Sequence, residues 1–163
     1  MVKYADAPNT EVVVEVAAPP AAVWSLISDI NVSAEYSPEF QGAEWIDSEP
    51  AVGATFRGYN KHPRVGEWNV VCTVTALEPE QVFEWTVGEL DNKVARWRFD
   101  LSPTEGGSSL RFSAEMGPGP SGLTPVIERM PDREEEIVAN RLQDWNTNMT
   151  ATVEGIKAKA EGG

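Results

Sequence analysis

The chain has 163 residues, enough for one core of ordinary size and too few for two independently folded domains. Hydrophobic residues make up 41% and charged residues 24%, with six Trp, five Phe and three Tyr, so disorder is excluded as the main state. With 26 Asp and Glu against 13 Lys and Arg the net charge is −13, and nucleic acid and anionic bilayers are excluded as favoured partners because that field repels them.

A single cysteine, Cys72, rules out an internal disulfide and fits a reducing compartment. The opening MVKYADAPNT lacks the apolar stretch of a signal peptide, and no window reaches the roughly 18 consecutive apolar residues of a spanning helix. The expectation is a cytoplasmic protein without membrane insertion, one domain over 1–163, of unspecified oligomeric state.

Glu11 to Ala17 alternate, with Val12, Val14 and Val16 on one face, and predict a half-buried strand. Pro19 and Pro20 then start a short helix in which Val23, Trp24 and Ile27 recur at helical spacing. Asn31 or Ser33 can cap a further turn or two around Tyr36, which must end by Ser37 because Pro38 pushes the preceding residue out of the α region. From Phe40 to Ala114 short alternating runs predict an antiparallel meander with strands at about 42–49, 54–60, 67–78, 81–88, 94–102 and 108–116. Turns are expected at Glu49–Gly53, Lys61–Arg64, Glu78–Glu80, Asp91–Asn92 and Glu105–Gly107. The period of two puts Phe56, Gly58, Asn60, Trp68, Cys72, Trp85, Trp97, Phe99 and Phe112 on an apolar face, and Arg57, Asn69, Glu84, Arg98, Asp100 and Arg111 on a wet one. After an apolar connector, Leu123 to Met130, Asp132 with Glu135 makes a capping-box-like start. Val138, Leu142, Trp145, Met149, Val153 and Ile156 then form one stripe down a helix of about 40 Å.

A curved seven-stranded sheet around one long helix leaves a concavity too wide for a stripe of about 10 Å. It must hold large side chains or a cavity. The segments VVVEVAAPPAAVWSLISDI, SPEF with EW, VGATFRGYN, VTALEPEQVFEW, RWRFDLSPTEGGSSLRFS and NTNMTATVEGIKAKAE resemble the START-like (SRPBCC) superfamily, and within it the polyketide cyclase/dehydrases, over about residues 10–160. The resemblance implies an α+β helix-grip fold: a curved seven-stranded antiparallel sheet wrapped around the long C-terminal helix, with two short helices after strand 1. It also implies a deep pocket between sheet and C-terminal helix for a polyketide, lipid or steroid-like molecule.

A literal GxGxxG at Gly117, Gly119 and Gly122 is rejected as a dinucleotide site, because Pro118 and Pro120 remove the N–H groups a pyrophosphate needs and no βαβ unit surrounds it. Its role is a stiff elbow before the helical region. One His and one Cys cannot build a His/Cys zinc set, so neither metal nor cofactor is expected; His62 reads as an exposed loop residue and Cys72 as an inert hydrophobe. The expected ligand-binding residues are Tyr36, Phe56, Asn60, Trp68, Trp85, Trp97, Phe112, Leu142, Trp145, Asn146 and Met149. Burial of the ligand's apolar surface supplies affinity, while Asn60, Tyr36 or Asn146 fixes orientation. The rivals are a polyketide aromatase/cyclase or dehydrase-like enzyme acting in the same pocket, in which a Tyr, Asn or bound water assists proton transfer, and a protein-interaction module using the polar sheet face. Whether the chain is an enzyme stays open at this point, and no catalytic residue is assigned.

Overall fold

The computed structural model describes residues 2–47 and 50–162. Seven strands form one antiparallel sheet: β1 (Asn9–Val16), β2 (Phe40–Trp45), β3 (Thr55–His62), β4 (Gly66–Glu78), β5 (Val82–Glu89), β6 (Asn92–Thr104) and β7 (Gly107–Met116). Their order is β1-β7-β6-β5-β4-β3-β2, so the meander closes with the first strand beside the last. Helix α1 (Pro20–Ile27) and a 3-10 turn (Val32–Glu35) follow β1; α2 (Thr124–Arg129), a 3-10 turn (Pro131–Arg133) and the long α3 (Glu134–Gly162) follow β7. This is the helix-grip architecture the sequence implies.

The register explains the division into faces. Phe56, Cys72, Val87, Ala95 and Met116 stand in one cross-strand row, and Phe83, Phe99, Phe112 and Val12 in another. All but the half-buried Val12 are buried, at about 1.5–3 kcal/mol for each large side chain. On the outer face Arg98 pairs with Glu84 at 2.7 Å and Asp100 at 3.0 Å, and Arg111 pairs with Glu11. Such half-exposed pairs contribute about 0–1 kcal/mol each. Their charges compensate one another, which leaves that face polar and locally balanced.

Several details depart from the sequence reading. Strand β2 starts at Phe40 and ends at Trp45, because the Asp47 carboxylate then turns back to accept the Thr55 N–H; residues 48 and 49 of the expected strand, and Glu49 of the expected turn, lie outside the described residues. Phe40 pairs with Asn60 but Gly42 with Tyr59, so Gln41 is a bulge, made possible by Gly42 at φ +136°. Strand β3 continues through Lys61 and His62, and the turn narrows to Pro63–Val65. The connector 123–130 contains α2, and Asp132 sits inside a 3-10 turn instead of capping α3. Asn31 does occupy the cap position before its 3-10 turn, but its side-chain oxygen accepts the Ala43 N–H at 2.7 Å and so covers the free edge of β2.

Helix α3 lies along β1 and β7 and touches α1 and the 3-10 turn at Val32–Glu35, packing mainly on one side of the concave face. Two ties hold it to β1: the Asn146 amide donates to Thr10 Oγ1 at 2.9 Å, and Lys157 Nζ donates to the Glu15 carbonyl at 2.6 Å. The Glu161 carboxylate accepts the Ala17 N–H at 2.7 Å, and this backbone donor, together with Lys157, holds its pKa below the usual carboxylate value. On the opposite flank Gly155 receives the Tyr36 ring so closely that a Cβ would collide with it. Gly155→Ala should therefore destabilise the fold by about 1–2 kcal/mol in chemical denaturation, the overpacking outweighing the gain of about 0.5–1 kcal/mol in helix propensity. A stabilised variant would show that the Tyr36 corner yields freely.

Candidate functional site

Nine rings form one connected aromatic network on the concave side. Trp85, on the central strand β5, touches Phe56, Phe83, Phe99 and Phe112 at centroid separations of 5.5–6.4 Å. Phe99 stacks on Phe112 at 4.1 Å; Trp97 bridges Phe112 to Trp145 on α3 at 4.8 Å; Trp45 and Trp24 join at Phe56 and Phe83. Phe56, Phe83, Phe99, Phe112 and Trp145 are buried, whereas Trp24, Trp45, Trp85 and Trp97 are only half-buried. For Trp24 and Trp45, on a helix and an edge strand, that is ordinary. Trp85 and Trp97 stand on strands paired on both sides, so their partial accessibility is less usual.

Helix α3 packs chiefly against β1, with lesser contact to β7 and α1. Its far flank is drawn back across the concavity by charged side chains: Arg141 grips Glu39, just before β2, through two hydrogen bonds of 2.8 and 2.7 Å. Both are largely shielded, with side-chain exposures of 19% and 14%, so this pair is worth more than a surface ion pair. Arg141 also lies 6.0 Å over the Trp145 ring and 3.6 Å from Asp144. His62, at the end of β3, places Nε2 3.8 Å from Asp144, while its Nδ1 accepts the Arg64 N–H at 3.1 Å. That backbone contact puts the proton of the neutral ring on Nε2, so an N–H and not a lone pair is turned toward Asp144. His62 is thus a strand-end residue facing α3 with its side chain 21% exposed, in place of the exposed loop histidine the Pro63 turn implied.

Of the expected site residues, the network gathers Phe56, Trp85, Trp97, Phe112 and Trp145, with Met149 buried in the adjoining core. Asn60 and Trp68 face each other across β3 and β4, half-buried at the His62 end of the same face. Leu142 and Asn146 fall on the β1 flank of α3, where with Asn9, Thr10, Ala139 and Gln143 they line a separate groove of about 370 Å³. The Asn146 amide is engaged there by Thr10. The Tyr36 ring covers Gly155, and burial raises its phenol pKa, with the neighbouring Glu35 adding to the rise. A second groove, of about 490 Å³, lies on the outer face around Val13, Arg98 and Arg111. The expected site set leaves out Phe40, whose ring lies over Gly58, and Trp45, one of six tryptophans that could be core or pocket wall, which shares the row of Phe56.

Burial pushes the Cys72 thiol up to about 12, which keeps it protonated and unreactive at neutral pH. The amides of Gly117 and Gly119 donate to the carbonyls of Val94 and Lys93, so the glycine-rich loop is an elbow docked on β6. Among the described residues no group of three or more His, Cys, Asp or Glu side chains is placed to hold a metal ion, and no helix is long and apolar enough to cross a membrane.

Comparison with known proteins agrees with this geometry. A polyketide-cyclase-like protein of Corynebacterium glutamicum, solved by NMR, is 30% identical, with 91% of this chain and 88% of that one covered and a TM-score of 0.64. The Zhui aromatase/cyclase of a Streptomyces strain is 15% identical over 93% of this chain and 94% of its own, with a TM-score of 0.66. The di-domain aromatase/cyclase StfQ of the steffimycin biosynthetic pathway reaches a TM-score of 0.71 at 15% identity; 94% of this chain covers 51% of that one. At such identities the last two show a shared fold alone. No curated relative matches the chain. The family model described as polyketide cyclase/dehydrase and lipid transport matches residues 7–161, and with the sheet, the long helix and the aromatic network already in place, the chain belongs to that family.

Proposed function

We propose that the chain binds one apolar small molecule, of the size and kind of a polyketide, lipid or steroid, in the cleft between α3 and the β3–β6 part of the concave face. The observation that carries this reading is the residual exposure of Trp85 and Trp97 on central strands, beneath a helix that packs chiefly against β1. A buried core would have closed over those rings, since each indole buries 150–250 Å² and is worth roughly 4–6 kcal/mol at about 25 cal/mol per Å². The Trp faces supply flat apolar walls, and Asn60, half-buried at the His62 end of the same face, supplies a hydrogen-bonding group that orients the ligand.

The test uses neutral diphenylhexatriene, whose absorption overlaps tryptophan emission. The expected result is saturable binding of about one probe per chain, quenched tryptophan emission, and displacement by at least one member of a panel of fatty acids, steroids and aromatic polyketides. Natively folded protein that leaves the probe free would contradict the reading.

A further inference from the structure

We infer that the Trp145 indole N–H is a further recognition group for the ligand, and that the atom it binds is a neutral acceptor oxygen, as in a ketone, quinone or ester. The inference rests on the binding reading above and adds the polar chemistry of the ligand. Trp145 is 8% exposed, in the middle of α3. The side-chain hydrogen bonds that α3 donates come from Arg141, Gln143, Asn146, Thr152 and Lys157, and the indole N–H makes none with any described residue. Among the described residues no fully buried polar side-chain atom lacks a partner, so the small accessible remainder of Trp145 includes Nε1. A side chain that is nine-tenths buried thus turns its one polar atom into an opening. Buried polar groups are as a rule hydrogen-bonded, which makes this N–H a donor without its acceptor.

The neighbouring rings supply the same kind of group. Trp97 has its ring centre 4.8 Å from that of Trp145, and Trp85 is joined to Trp97 through Phe112. Both are half-buried, and their N–H groups also find no acceptor among the described residues: the side-chain hydrogen bonds donated from β5 and β6 come from Thr86, Arg96 and Arg98. An indole N–H donates and cannot accept, so it matches the lone pairs of a ligand oxygen. The wall has no open positive charge beside that donor. Arg141, 6.0 Å over the Trp145 ring, is held by Glu39 through hydrogen bonds of 2.8 and 2.7 Å, so a ligand carboxylate there would gain no new ion pair. A neutral oxygen satisfies the N–H without bringing an uncompensated charge against aromatic rings. Among molecules of the proposed kind this selects keto- or quinone-bearing bodies over plain hydrocarbon chains.

The test uses fluorene and 9-fluorenone, bodies of one size in which a methylene becomes a carbonyl. Both are titrated as displacers of bound diphenylhexatriene from the wild type and from Trp145→Phe, which keeps an aromatic ring and removes the N–H. The ratio of the fluorene to the fluorenone dissociation constant is expected to be about three- to tenfold higher for the wild type than for the variant, the range of one neutral hydrogen bond. A ratio unchanged by the substitution would overturn the donor assignment and leave the binding reading standing. The wild type alone gives a second readout, independent of how well the variant folds. In a proton–nitrogen correlation spectrum, saturating fluorenone should move the Trp145 indole proton downfield, and fluorene should not. The same shift with both molecules, or a fluorenone-specific downfield shift confined to Trp85 or Trp97, would overturn the assignment to Trp145. If diphenylhexatriene itself stays free of the folded wild type, the binding reading falls and the donor assignment with it.

Discussion

Replacing Trp145 by alanine should lower the stability of the folded protein by about 3–5 kcal/mol, the range for removing a large aromatic side chain from a core. Trp145 is 8% exposed and sits at the middle of α3, against Trp97 on one side and under the Arg141 guanidinium on the other. Its loss removes the one ring through which α3 joins the aromatic network. It also leaves Arg141 without the cation–π contact, worth about 0.5–1 kcal/mol at a partly exposed site. Urea unfolding of the unliganded protein followed by far-ultraviolet circular dichroism measures the effect. A midpoint shift equivalent to less than about 1 kcal/mol would mean that α3 is held by its ties to β1 and α1 alone.

Trp85→Ala separates binding from folding. Its side chain is half-buried yet touches four rings, so truncation should destabilise the fold less than loss of Trp145, by about 2–3 kcal/mol, while weakening neutral diphenylhexatriene binding by at least tenfold, or about 1.4 kcal/mol. Phe99→Ala is the contrasting variant. Phe99 is fully buried behind Phe112, so its loss should destabilise the fold strongly and change probe affinity little in the molecules that remain folded. Equal probe affinity in wild type and Trp85→Ala would place the ligand elsewhere.

The strand alternation made the sheet and its two faces legible in the sequence, because one buried face forces a period of two along β3 to β7, broken only by register shifts between Val74 and Ala76 and between Val87 and Gly88. The helix stripe was legible for the same reason: Val138, Trp145, Met149, Val153 and Ile156 are buried, and of the expected stripe only Leu142 is half-buried. Two features of the site were not. Unbroken alternation puts Phe40 and Trp45 on opposite faces, and only the bulge at Gln41 turns both toward the concavity; Gly42 was the one sequence signal for it. The two flanks of α3 are also chemically alike, since Asn146 borders the stripe on one side and Arg141 on the other. Which flank meets β1 is decided by pairings more than 100 residues apart in sequence, Asn146 with Thr10 and Arg141 with Glu39, and local pattern carries no record of them. His62 was misplaced because Pro63 reads as a turn, whereas the register with Gly66 carries the strand two residues further.

The six indole N–H groups give the most direct test of where a ligand sits, because they are distributed over α1 (Trp24), β2 (Trp45), β4 (Trp68), β5 (Trp85), β6 (Trp97) and α3 (Trp145). In a proton–nitrogen correlation spectrum assigned by single substitutions, titration with neutral diphenylhexatriene should shift the Trp85 and Trp97 resonances together. They should follow one saturation curve that reaches its plateau near one equivalent. Saturable binding that moves the Trp24 or Trp68 resonance and leaves Trp85 and Trp97 in place would contradict a ligand held between α3 and the centre of the sheet.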